Sequence, residues 1–202
     1  MKRLTAAIML ILIGAVIFAS NPISFSGRYA LVGSDGRTIR RTNVDVEGTG
    51  VVLATGEEKA KAEGSAFSLI LGENSLAAIK DEEGLVIYLV YGCATVVSGD
   101  ERDISVYTPT TKTTLSSKGE YHFISLDKEE KAYNFSSPDI ELYDSIRGTY
   151  TTLSYNEGYD YIKGRKIKVD ENKRYLETPI HVLTPVFTDE VYSYLTGSPD
   201  TP

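Results

Sequence analysis

The sequence predicts an all-β protein, a compact β-sandwich or β-roll (jelly-roll or solenoid-like) of about a dozen short strands. β-Branched and aromatic residues recur in short runs past residue 20. Gly, Asn, Asp, Ser and Lys-Glu clusters separate those runs at about the 8–12 residue spacing of all-β folds. No long apolar stripe of helical period competes with them.

In chain order, the plainest strands are Gly50–Ala54, Ala66–Leu71, Leu76–Lys80, Leu85–Val90, Ala94–Ser98 and Ile104–Thr108. Tyr121–Leu126, Lys131–Phe135, Ile140–Tyr143, Thr149–Leu153, Tyr159–Ile162 and Lys166–Val169 follow. Leu85-Val86-Ile87-Tyr88-Leu89-Val90 is apolar at both parities, which predicts a central strand covered on both faces. Ile104–Tyr107 and Lys166–Val169 alternate, which predicts outer strands with one face on the core and one in water. Asp81-Glu82-Glu83-Gly84 and Asp127-Lys128-Glu129-Glu130 read as solvated hairpin tips.

The two ends differ from the middle. Met1-Lys2-Arg3 precedes an apolar run from Leu4 to Ala19, closed by Ser20-Asn21-Pro22, the tripartite form of a secretory signal. The run is shorter than the roughly 20 residues of a spanning helix and contains Gly14, so cleavage after Ala19 or Ser20, with Ser26 as a later option, is favoured over an uncleaved anchor. The expected organisation is residues 1–20 as signal, 21–49 as an N-terminal β extension, 50–169 as the main β domain and 170–202 as a Pro-containing tail. Periplasm or cell surface is the expected location, with membrane attachment only through an uncleaved N-terminal segment.

Cys93 is the single cysteine, so no intrachain disulfide can form and the fold must rest on its core. It reads as a small buried residue following Gly92, and it stands too far from the apolar run to carry a lipid anchor. With 28 acidic against 21 basic residues the net charge is −7, which repels phosphate backbones and disfavours nucleic acid as a partner.

From about residue 50 to 163 the chain resembles the FecR domain family of exported bacterial proteins. The matching pieces are Leu69-Ile70-Leu71-Gly72-Glu73-Asn74-Ser75, Leu76-Ala77-Ala78-Ile79, the Leu89-Val90-Tyr91-Gly92 step into Ala94-Thr95-Val96-Val97, and Val106-Tyr107-Thr108-Pro109. Gly119 before a strand and Leu153-Ser154-Tyr155-Asn156-Glu157-Gly158-Tyr159 complete them, while Gly119-Glu120-Tyr121-His122 departs from the family's Gly-Thr-x-Phe. The resemblance implies a non-catalytic envelope module for protein–protein interaction or scaffolding. The family's signalling members carry a cytoplasmic sigma-regulating segment before a membrane helix; here only Met1-Lys2-Arg3 precedes the apolar run, which weighs against direct sigma-factor control.

No residue pattern announces catalysis or a cofactor. His122 and His181 lie in different segments without metal-ligand spacing, and His122 reads as a half-buried strand residue. Asn43-Val44-Asp45-Val46-Glu47 lacks the glycine and terminal glutamate of a calcium loop. Glu47-Gly48-Thr49-Gly50 is too short for a dinucleotide fingerprint, and no strained Gly-x-Ser-x-Gly turn is present. Tyrosine is used 14 times and tryptophan never, and Tyr150, Tyr155, Tyr159 and Tyr161 stand close together. Aromatics suit pleated surfaces, so a structural role in the strands is the first reading. As a contact surface, that stretch is the candidate site, for another envelope protein or, alternatively, for cell-wall glycan such as peptidoglycan. A regulatory role in envelope signal transduction is a further alternative.

Overall fold

Strands with one apolar face need a second apolar surface, and this chain supplies it by folding one sheet over itself. The structure is a computed structural model that describes residues 22–46, 50–81, 84–99, 103–136 and 138–169. The signal segment, the Pro-containing tail, His181 and Glu47-Gly48-Thr49 lie outside these residues. The strands are β1 (Ile23–Gly33), β2 (Asn43–Val44), β3 (Val51–Glu63), β4 (Phe67–Leu71), β5 (Leu76–Asp81), β6 (Leu85–Ser98) and β7 (Ile104–Thr108). β8 (Thr111–Leu115), β9 (Gly119–Leu126), β10 (Glu129–Asn134), β11 (Ile140–Asp144), β12 (Thr149–Leu153), β13 (Glu157–Asp160) and β14 (Arg165–Lys168) follow. All fourteen join in one sheet. Among the described residues there is no helix, and the pairings are antiparallel apart from β6 with β7.

Long strands carry the sheet from one layer into the other. Residues 85–91 of β6 pair with β5 and β7, whereas residues 92–98 pair with β4 and β9. β3 does the same, with β5 beside residues 51–54 and β4 beside residues 60–63. One layer therefore holds β5, β7, β8, β11 and β12, and the other holds β4, β9, β10, β13 and β14. Ile87, Leu89, Val106, Leu115, Leu142 and Leu153 from the first meet Leu69, Val96, Phe123, Ala132 and Tyr159 from the second in a single core. β1 pairs along β3 and adds Ile23, Phe25 and Leu31 to that core, so residues 23–33 belong to the same packed unit. Cleavage after Ser26 would remove Ile23 and Phe25, a loss that cleavage near Ser20 avoids.

The switch between layers is made at Gly92. Core-facing residues of β6 are Leu85, Ile87 and Leu89 before it and Ala94 and Val96 after it, so the inward parity flips. A register shift opposite Leu76 and Ala77 supplies the extra residue, and Gly92 has a φ of 99°. A side chain at Gly92 would also overlap Ser75, whose hydroxyl accepts a hydrogen bond from the Cys93 N–H at 3.0 Å. The expected strands Leu85–Val90 and Ala94–Ser98 are thus one bent strand. Cys93 is buried beside Ile124 and Tyr133 on the outer side of the second layer.

Several expectations need correction. β6 is central, but only Leu85, Ile87 and Leu89 are fully buried in its first half; Val86, Tyr88 and Val90 face outward and are half-covered. Tyr88 and Val90 pack on a small cluster of Val52, Leu76 and Ala78. β7 has the predicted one-sided burial yet lies inside the sheet, between β6 and β8, whereas β14 is an edge among the described residues. Only Asp127-Lys128 forms the tip between β9 and β10, because Glu129 and Glu130 begin β10. Glu130 shares the inward parity of Ala132 and is 5% exposed, accepting hydrogen bonds from the Thr108 hydroxyl and from the Thr110 N–H at 3.1 Å. β8 escaped the sequence reading because its buried face is Thr111, Thr113 and Leu115, two polar residues of high strand propensity.

Candidate functional site

The four tyrosines singled out in the sequence divide into two kinds. Tyr150 on β12 is 68% exposed and Tyr155, in the turn to β13, is 59% exposed. Tyr159 and Tyr161 are core residues at 4% and 0%, their rings 5.0 Å apart and edge to face. This corrects their assignment as contact residues, since neither offers its ring to a partner. The reason is the crossing at Ser154-Tyr155-Asn156, where Asn156 adopts a φ of 59° and the chain passes from the first layer to the second. Tyr155 stands at the far end of β12 from Tyr150, roughly 15 Å along the strand, so the exposed pair does not form one patch either.

The buried pair is tied into a polar network. The Tyr159 hydroxyl donates to Asp144 at 3.1 Å, and Asp144 also receives the Arg147 guanidinium at 2.9 Å. Arg147 donates further to the carbonyls of Tyr161 at 2.6 Å and Ile162 at 3.1 Å, which fastens the β11–β12 tip to the β13–β14 tip. Asp160 accepts from the Lys163 N–H at 3.0 Å and pairs with its ammonium at 3.2 Å. Burial pushes the Tyr159 phenol above its ordinary range, reinforced by Asp144. Burial raises the Tyr161 phenol as well, and its hydroxyl, near Thr111 and Thr113, makes no well-formed hydrogen bond. Every carboxylate in this network is satisfied by a named donor, which is the arrangement a buried charge requires for stability alone.

Tyr150 instead ends a row that sequence reading did not find. Directly opposite partners run from Tyr88 on β6 to Tyr107 on β7, Lys112 on β8, Tyr143 on β11 and Tyr150 on β12. Partners in register share a face, and neighbouring strands lie about 4.8 Å apart, so the row crosses about 19 Å of outer surface. Lys112 places its ammonium 5.4 Å from the centroid of the Tyr107 ring, a cation–π distance. The Tyr143 and Tyr150 rings are 4.9 Å apart and tilted by 46°. Lys112, Thr114, Ser116, Asp139, Glu141, Tyr143 and Tyr150 line an open groove of about 540 Å³ there. The parity of Tyr107 and Tyr143 was visible in their alternating strands; the pairing that aligns them was not.

The outer side of the second layer is different. His122 on β9 hydrogen-bonds Glu120 at 2.9 Å, approaches the Thr95 hydroxyl at 3.4 Å and packs against Phe135 with ring centroids 4.3 Å apart and tilted by 55°. Burial lowers its pKa below the usual 6.5, outweighing the raising effect of Glu120. The expectation of a half-buried strand histidine matches this setting. Among the described residues, no group of three or more His, Cys, Asp or Glu side chains converges as a metal ion would require.

No protein-family model matches the chain, and no curated protein matches it in sequence. Two crystal structures, each of a protein described as a "putative anti-sigma factor" from Parabacteroides distasonis ATCC 8503, are similar in structure. Both give a TM-score of 0.49, at 12% and 14% sequence identity. The matches cover 58% and 59% of this chain and equally 58% and 59% of those chains, so the likeness spans well under two thirds of either protein.

Proposed function

We propose that this chain is a non-catalytic binding module of the bacterial envelope. Its contact surface is the outer face of β6, β7, β8, β11 and β12. Within that class it is FecR-like, exported to the periplasm or cell surface by its N-terminal apolar segment, and it serves to hold another envelope component. The observation that carries the proposal is the tyrosine row ending at Tyr150, a large ring 68% exposed on a strand that pairs, among the described residues, only with β11. Aromatic side chains left out of a core that has room for aromatic rings elsewhere are what recognition surfaces use. The resemblance of residues 50–163 to the FecR family supports the envelope setting.

The test is photo-crosslinking in the native host with the full chain. A photoreactive residue at position 150 should link to an envelope component, whereas one at Val97, 36% exposed on the second layer, should link far less. Equal labelling from both positions, or none from 150, removes the proposal.

A further inference from the structure

We infer that the tyrosine face binds an extended, uncharged polysaccharide, laid across the strands. This rests on the proposal that this face is the contact surface and names the chemistry of what it holds. The first observation is the direction of the row: Tyr88, Tyr107, Tyr143 and Tyr150 align perpendicular to the strands, with Lys112 between them. A platform of that length suits a linear ligand with a repeating unit better than a small molecule, which would need a concave pocket around it.

The second observation is a polar row running beside the aromatic one. Side chains two residues along each strand share the same face. Ser105 stands opposite Thr114, and Glu141 stands opposite Thr152, each two positions from a member of the tyrosine row. A sugar ring has an apolar C–H face and a rim of hydroxyls. Tyrosine rings can pack on the face while Glu141, Thr114 and Thr152 accept or donate hydrogen bonds at the rim, the carboxylate forming the stronger charge-assisted ones.

The third observation is charge and composition. Glu141 and Asp139 outnumber Lys112 along the groove, and the chain carries a net charge of −7, so the balance of charge disfavours polyanionic glycans. Among the described residues lining the groove, Ile140 is the one aliphatic side chain, and it is 5% exposed, a core residue. A protein partner's hot spot needs an apolar centre that can be fully desolvated, and hydroxyls and charges interrupt this face.

Titration of the full chain with cello- and chito-oligosaccharides, with alginate as the polyanionic control, tests the inference. At least one neutral hexamer should bind about tenfold tighter than its dimer, because only the longer chain reaches several rings. Tyr143→Ala and Tyr150→Ala should each weaken binding about tenfold, while Tyr143→Phe keeps the ring and stays within about threefold. Alginate should not bind. Failure of every neutral hexamer, tighter binding of alginate, or affinity unchanged by both alanine variants overturns it. If the hexamers fail while position 150 still crosslinks a protein in the host, the contact face stands and the glycan falls. If both experiments fail, both fall.

Discussion

The outer faces of the two layers contain the same kinds of residue and have opposite fates. On the second layer, Cys93, Ile124 and Tyr133 are buried under Leu126, Phe135, Ile167 and Val169, so the chain closes that face with its own side chains. On the first, the apolar cover stops at Val52, Leu76 and Ala78, and among the described residues the face from Tyr107 to Tyr150 lies open with charges and hydroxyls among the rings. A tyrosine on these strands is therefore structural or available according to which layer, and which side of it, its strand parity selects.

The largest expected effect tests that contrast directly. Tyr133→Ala should destabilise the fold by about 3–5 kcal/mol, as loss of a buried aromatic does, measured by chemical denaturation. A cost no greater than that of Tyr150→Ala would break the comparison. Next is Tyr159→Phe, expected to cost about 1.5 kcal/mol, since it removes one hydrogen bond to a buried carboxylate that Arg147 still satisfies. No change would mean the network contributes less than its geometry implies.

A smaller effect depends on pH. His122 titrates below 6.5 in the folded chain because it is buried, so the unfolded chain takes up the proton first. Its contribution is fully present above 6.5 and is lost as pH falls through the lower folded value. Denaturation midpoints should decline on acidification from neutral pH, and His122→Gln should flatten that slope; a midpoint that rises instead would contradict the burial. The smallest effect belongs to Tyr150→Ala, which should cost no more than about 1 kcal/mol, the worth of its ring contact with Tyr143. A larger loss would make Tyr150 structural and close the open face.

Much of the strand content was legible because alternating burial leaves a period of two in the sequence, as in Ile104–Thr108 and Ile140–Asp144. β8 was missed where threonines fill inward positions, and Glu130 was misplaced because a charged pair looks like a turn until its hydroxyl and amide donors are known. The site was half legible. Tyr150 was named, but Tyr88, Tyr107 and Tyr143 meet it only through a parallel pairing of β6 with β7 and a long-range pairing of β8 with β11. Sequence separation hides such registers, and proximity in sequence wrongly grouped Tyr159 and Tyr161 with the surface.

Because β6 crosses from one layer to the other at Gly92, neither layer has a backbone of its own. Peeling the first layer away would pull the strand that pairs with β4 and β9 out of the second. The protein should therefore lose its structure in one event, with amide exchange in the two layers governed by the same opening, and no half-melted form should persist that keeps the tyrosine face after the second layer is lost.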